Sequence, residues 1–188
     1  MNIPADKVLR LTMLLHDVAK PVCRTEDENG IHHFHGHPQV GAEMSRKILR
    51  RLKFDNDTIH RVMALVRAHD DRPPLQGRSV RRAIYRNGTG QYPELFEVKR
   101  ADILAQSSFL QQEKLLYVDR YEHMYQQIME KEQCLSLKEL AVNGSDLIAR
   151  GIQPGKEIGE ILHQMLEKVL EEPELNEKEV LLAWYFKA

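Results

Sequence analysis

Leu14-Leu15-His16-Asp17-Val18-Ala19-Lys20-Pro21 closes a segment, Val8 to Ala19, that is apolar almost throughout. Its apolar residues fall on nearly every side of a helix, which predicts a core helix from Asp6 to Lys20. Pro4 and Asp6 suit its start, and Pro21 is expected to stop it. A histidine and a carboxylate buried side by side are unfavourable unless something compensates them. One solution is a salt-bridged His16–Asp17 pair closing the helix. The other is a divalent ion, since imidazole nitrogen and carboxylate oxygen both coordinate such ions. Lys20 follows one turn later, and a cation beside a metal-binding pair suits a phosphate substrate.

Further histidines and a carboxylate lie downstream. The chain holds nine histidines in 188 residues, four of them in His32-His33-Phe34-His35-Gly36-His37-Pro38. As a local feature that run reads as a solvated loop leading into a helix. His69-Asp70 repeats the dipeptide at the end of a helix, where the macrodipole favours an imidazolium. Asp102, in Lys99-Arg100-Ala101-Asp102-Ile103, is a lone carboxylate on an apolar stripe and needs a partner, Arg100 among the candidates.

Composition excludes several classes. Charged residues make up 29% and the formal net charge is -1, so no global field draws the chain to nucleic acid or anionic membrane. Cys23 and Cys134 are far apart and in no metal spacing, which fits a reducing compartment. No apolar run is long enough to cross a bilayer, and the first residues lack the pattern of a signal peptide, so a cytoplasmic location is expected.

The periodicity is helical throughout, with no alternating run that would make a sheet, and predicts an all-α fold. Helices are expected at 38–52, 55–69, 79–87 and 92–132, the last bent near Gln106 to Phe109. The pattern resets near 133. Residues 1–132 are read as one domain and 133–188 as a small C-terminal helical unit. In that unit Asn143-Gly144-Ser145-Asp146 opens a capped turn, and Pro154-Gly155 opens a longer helix.

The run of apolar helix, His16-Asp17, Lys20 and Pro21 resembles the signature of the HD-domain superfamily of metal-dependent phosphohydrolases. The order of segments narrows the likeness. Leu14 to Pro21, Phe34 to Glu43, Ala101-Asp102, and the tail from Leu140 to Gly159 resemble the C-terminal half of HD-containing tRNA nucleotidyltransferases, the CCA-adding enzymes and poly(A) polymerase relatives. The Gly-Ser and Asp-x-Asp pairs of the nucleotide-transferring head do not occur here in a strand context.

This resemblance implies an HD-type helical fold and a metal site. His16, Asp17 and Asp102 would serve one ion, and His37 and His69 a second, with Asp17 and Lys20 in catalysis. The superfamily pattern begins with a further histidine some tens of residues upstream of the pair. None of the fifteen residues before His16 is histidine, so that ligand is expected to be missing. The donor set suits manganese, iron, cobalt, nickel, magnesium or zinc. The function implied is a phosphohydrolase acting on a nucleotide or RNA-end phosphate ester. The alternative is the RNA-binding half of a split or truncated tRNA nucleotidyltransferase, with tRNA as partner and a non-catalytic HD site. Arg78, Arg81, Arg82 and Arg86 form a basic strip that could meet RNA phosphates, and the Gly155 helix start could hold a phosphate; a solvated helix face and an ordinary helix start are the plain readings.

Overall fold

The protein is represented by a computed structural model that describes residues 6–131 and 133–187; Pro4 lies outside them. The fold is all-α apart from one short ribbon.

Helix α1 spans Lys7–Leu15, capped by the Asp6 carboxylate, which accepts from the Val8 and Leu9 amides. Val8, Leu9, Thr12 and Leu15 are buried. Leu14 is 77% exposed, so the segment has an outward face despite its composition. The helix also ends earlier than its apolar pattern predicts. His16 is its C-cap, and α2 begins at Lys20–Cys23 with Pro21 in its first turn. Pro21 therefore opens a helix rather than stopping one: its missing N–H is harmless in a first turn. The His-Asp pair sits in the intervening turn, bonded Val18 N–H to Leu15 O and Lys20 N–H to Asp17 O.

The next segment, expected as a loop, contains strands β1 (Thr25–Glu26) and β2 (His32–His33). They pair antiparallel, Thr25 opposite His33 and Glu26 opposite His32. Two residues per strand are too few for alternation to register in the sequence. Gly36, at φ 76, turns the chain into α3, His37–Arg51. Helix α4, Asn56–Ala68, is capped by Asp55 and ends on His69. Helix α5 is Gly77–Asn87, α6 Tyr92–Ala105 and α7 Gln111–Glu130. The break between α6 and α7 falls at the expected bend. There Leu110 adopts φ 53, a left-handed conformation rare for a branched side chain. The remaining helices are α8 (Gly144–Ala149), α9 (Lys156–Glu171) and α10 (Lys178–Lys187). Among the described residues no helix is long and apolar enough to cross a membrane.

The chain forms two compact units that interleave in sequence. The first holds residues up to Arg72 and Asn87–Arg120. Its core includes Leu49, Leu65, Leu95, Tyr92 and Phe96, all nearly inaccessible. The second holds Pro73–Arg86 and the chain from Tyr121 onward, with Ile84, Leu147, Ile161, Met165 and Leu170 at its centre. Within it the Asn143–Asp146 capping box starts α8.

Gly41 brings α3 close to the His-Asp turn. A Cβ there would lie 3.4 Å from Val66 Cγ1, 3.6 Å from the His16 carbonyl oxygen and 3.7 Å from Ala19 Cβ. One methyl fits; a branched side chain does not. Gly41→Ala is expected to leave stability within about 1 kcal/mol, while Gly41→Val should lower it by roughly 1–3 kcal/mol through overpacking. Urea unfolding of both variants checks this; equal midpoints would exclude a packing role for Gly41.

Candidate metal centre

Four elements of the first unit converge on Asp17. His16 and Asp17 come from the turn after α1, His37 from the first position of α3, His69 from the cap of α4, and Asp102 from α6. Asp17 Oδ1 lies 3.5 Å from His37 Nε2 and 3.6 Å from His69 Nε2. The two imidazole nitrogens are 3.3 Å apart. On the other side, His16 Nε2 stands 3.3 Å from Asp17 Oδ2 and 3.4 Å from Asp102 Oδ1.

The other ring nitrogens decide what this arrangement means. His16 Nδ1 is 2.8 Å from the Met13 carbonyl oxygen, His37 Nδ1 2.9 Å from that of Phe34, and His69 Nδ1 2.7 Å from that of Val66. A carbonyl only accepts, so each Nδ1 carries the proton; in His37 and His69 a neutral ring then turns a bare Nε2 lone pair inward, whereas His16 Nε2 faces two carboxylates that favour a proton on it. Two bare nitrogens and a carboxylate oxygen then face one another. Asp17 Oδ1 is buried and makes no hydrogen bond. Three electron pairs aimed at one point repel unless a cation lies between them. Donors held tetrahedrally by bonds of ~2.0–2.2 Å stand roughly 3.3–3.6 Å apart, the spacing found here. Asp17, His37 and His69 therefore fit a metal ion, and their donor chemistry suits a transition metal. The carbonyls that fix the histidine tautomers supply the outer support such ligands need.

The local electrostatics agree. The hydrogen bond from His16, followed by that from Gln106, holds the Asp102 carboxyl down to about 2 against the opposing effect of burial. Asp102 in turn raises His16. Burial lowers His69 and favours its neutral, ligating form. Lys99, 5% exposed on α6, donates to the carbonyls of His69 (2.8 Å) and Asp71 (2.6 Å), bracing the end of α4. Burial pulls its ammonium down to about 8.

A polar cavity of about 410 Å³ opens over the centre, lined among others by Asp17, Lys20, His33, His37, Arg72 and Asp102. Lys20 Nζ is 2.6 Å from Asp17 Oδ2 and 5.8 Å from the centre of the Phe34 ring. His33 stacks on His35 and reaches Asp27 at 2.9 Å, so the ribbon forms one wall of the cavity.

Of the residues singled out in the sequence, His16, Asp17, Lys20, His37, His69 and Asp102 come together. The basic strip does not hold as a unit. Arg81 is 8% exposed and points inward, its guanidinium donating to the carbonyls of Leu170 (2.7 Å) and Glu171 (2.9 Å) at the end of α9. A phosphate cannot reach it, and a sequence cannot tell a buried helix-capping arginine from a surface one. Arg78 and Arg82 pair with Glu171 and Glu167, and Arg86 is also engaged. Gly155 is an extended residue before α9, with no side-chain cap. Sequence reasoning missed Arg72 and Lys99. Lys99 was legible as a cation three residues before Asp102, and so on the same helix face.

A family model described as tRNA nucleotidyltransferase domain 2 matches residues 25–185. The chain is 35% identical over 159 residues to the CC-adding tRNA nucleotidyltransferase of Thermus thermophilus, covering 84% of this chain and 35% of that protein. It is 32% identical over 167 residues to the A-adding tRNA nucleotidyltransferase of Deinococcus radiodurans, covering 87% of this chain and 38% of that protein. It thus spans little more than a third of the length of these relatives. No solved structure matches.

Proposed function

The chain belongs to the tRNA nucleotidyltransferase domain 2 family, and from that membership we propose that it is a metal-dependent phosphohydrolase of the HD type, acting on a phosphate ester of a nucleotide or RNA end. The observation that carries this reading is the convergence of proton-free His37 and His69 nitrogens on the orphaned oxygen of Asp17. Asp17, His37 and His69 would hold one divalent ion; His16, Asp102 and the second oxygen of Asp17 would hold another. Such an ion supplies Lewis acidity and a nucleophile at neutral pH. The remaining work falls to the protein. Lys20 and Arg72, both in the wall of the polar cavity, neutralise and orient the phosphate. The Asp17 carboxylate keeps the Lys20 ammonium at the mouth of the centre, 2.6 Å away, where charge develops on the phosphate oxygens.

The test is hydrolysis of an activated phosphodiester and of a 2′,3′-cyclic nucleotide with added manganese, nickel or cobalt. Turnover that depends on the added ion is expected. Lys20→Ala should lower kcat by about tenfold or more and leave metal content intact, because Lys20 is no ligand. Unchanged kcat in that variant would remove Lys20 from the mechanism.

A second reading rests on the same membership. The relatives are named for adding nucleotides to tRNA, so a tRNA-holding role without hydrolysis is the alternative. Metal bound by the purified chain, no turnover with any of these ions, and retention of tRNA on a filter together would make it the better one.

A further inference from the structure

We propose that the cavity between α6 and α7 is a nucleoside subsite, so that the candidate centre takes a single terminal nucleotide with its phosphate over Asp17 and its base against Tyr117. The orientation of the ligand rests on the phosphohydrolase reading; the subsite itself does not.

Two cavities meet at the centre. The polar one has been described. The other, of about 320 Å³, shares His69, Arg72 and Asp102 with it; beyond them Ile103, Leu110, Tyr117 and Val118 make an apolar wall, with Lys99, Glu113 and Lys114 as its charged members. A ligand suited to both carries an anion at one end and, at the other, a body with apolar faces and polar edges. A nucleotide has that division. The smaller cavity stands at the low end of the range for ligand pockets, roughly 300–1,000 Å³, which suits one nucleoside and not a run of them.

The rim supports the same ligand. Gln106 donates to Asp102 Oδ2 (2.8 Å) and accepts from Lys114 Nζ (3.1 Å), so polar groups that can meet base edges and ribose hydroxyls border the side nearest the metal residues. Leu110, which lines the cavity, is 50% exposed, a large apolar side chain left in water at its edge. Leu110 is held there by a left-handed backbone, φ 53. Strain of this kind persists where the surroundings fix it and collects at ligand sites. Aromatic rings and guanidinium planes are the surfaces on which bases stack, and Tyr117 and Arg72 offer one of each.

The test uses the whole chain with methyl-labelled side chains, and adenosine as probe. Adenosine should shift the methyl signals of Ile103, Leu110 and Val118 saturably in the wild type and, within a factor of about two, in Asp17→Ala. Tyr117→Ala should weaken the apparent Kd by about tenfold, the scale of one base–aromatic stack. Leu110→Gly, which fits its backbone without strain and keeps the fold safe, should weaken it at least threefold on the order expected for a lost mouth contact. Inorganic phosphate alone should leave these methyls unmoved. If turnover is found, Tyr117→Ala should lower kcat/KM for 2′,3′-cyclic AMP about tenfold relative to bis(p-nitrophenyl) phosphate. Methyls that ignore adenosine, that answer to phosphate alone, or that bind adenosine equally in wild type and Leu110→Gly overturn the subsite. Saturable, Leu110-dependent adenosine binding without hydrolysis by any ion supports the subsite and sinks only the phosphohydrolase reading.

Discussion

Asp17→Ala is expected to strip the chain of divalent metal. Asp17 turns one oxygen toward each side of the centre, Oδ1 toward His37 and His69 and Oδ2 toward His16. Loss of an outer partner of a metal ligand costs about 10–100-fold in affinity, so loss of this carboxylate should cost at least about 100-fold. The effect also shows in stability. A metal present at a hundred times its Kd stabilises the wild type by about 2.7 kcal/mol, or roughly 5–10 °C in Tm for a chain of this size. The variant should gain nothing from the same addition. Without metal the two proteins should melt within a few degrees of each other, because Oδ1 has no hydrogen bond to lose and the Lys20 pair of Oδ2 is part-exposed and contributes little. Elemental analysis after purification without chelator, followed by melts with and without manganese, gives the answer. Equal metal in both proteins, or an equal rise in Tm, rules the centre out.

The second large effect is expected in the second unit. Arg81→Ala should destabilise the second unit by about 2–4 kcal/mol, since hydrogen bonds from a charged donor contribute about 1.5–3 kcal/mol and the Leu170 and Glu171 carbonyls lose theirs at a buried helix end. Arg82→Ala, one residue on, breaks only an exposed pair with Glu167 and should stay within about 0.5 kcal/mol. Urea unfolding followed by the fluorescence of Trp184, in the same unit, separates them. If the two variants unfold alike, Arg81 is not the structural cation its hydrogen bonds indicate, and a surface role for the strip returns.

Much of this molecule was legible because its signals are local. Helix periodicity located α3 to α9 to within a few residues, and Asp55 and Asn143 cap α4 and α8 through their own side chains. The candidate ligands were legible for a different reason. His16 and Asp17 are a polar pair in an apolar run, and Asp102 is a lone carboxylate on an apolar stripe; such residues need partners, and here they are one another's. What escaped was long-range or marginal. The sequence around Pro21 allows a helix stop or a helix start equally well, and the choice depends on where the His-Asp turn must be placed. The β1–β2 ribbon has four residues and no hydrophobic alternation. Arg72 and Arg81 take their roles from a cavity wall and from carbonyls distant in sequence, and no spacing rule foretells those.

The interleaving of the two units constrains the order in which this protein can be made and taken apart. Residues 73–86 leave the ribosome before the first unit has its last helix, yet they belong with partners that begin at Tyr121. Neither unit can complete itself until about two thirds of the chain has been synthesised, and the early segment must wait, unpaired, for the later one. The same logic governs dissection. A protease cut near 132 would yield a C-terminal peptide lacking Arg81, with the Leu170 and Glu171 carbonyls left without their donor. That peptide should stay largely unstructured by itself and gain helix when a synthetic 73–86 segment is supplied in trans, a complementation that circular dichroism would register directly.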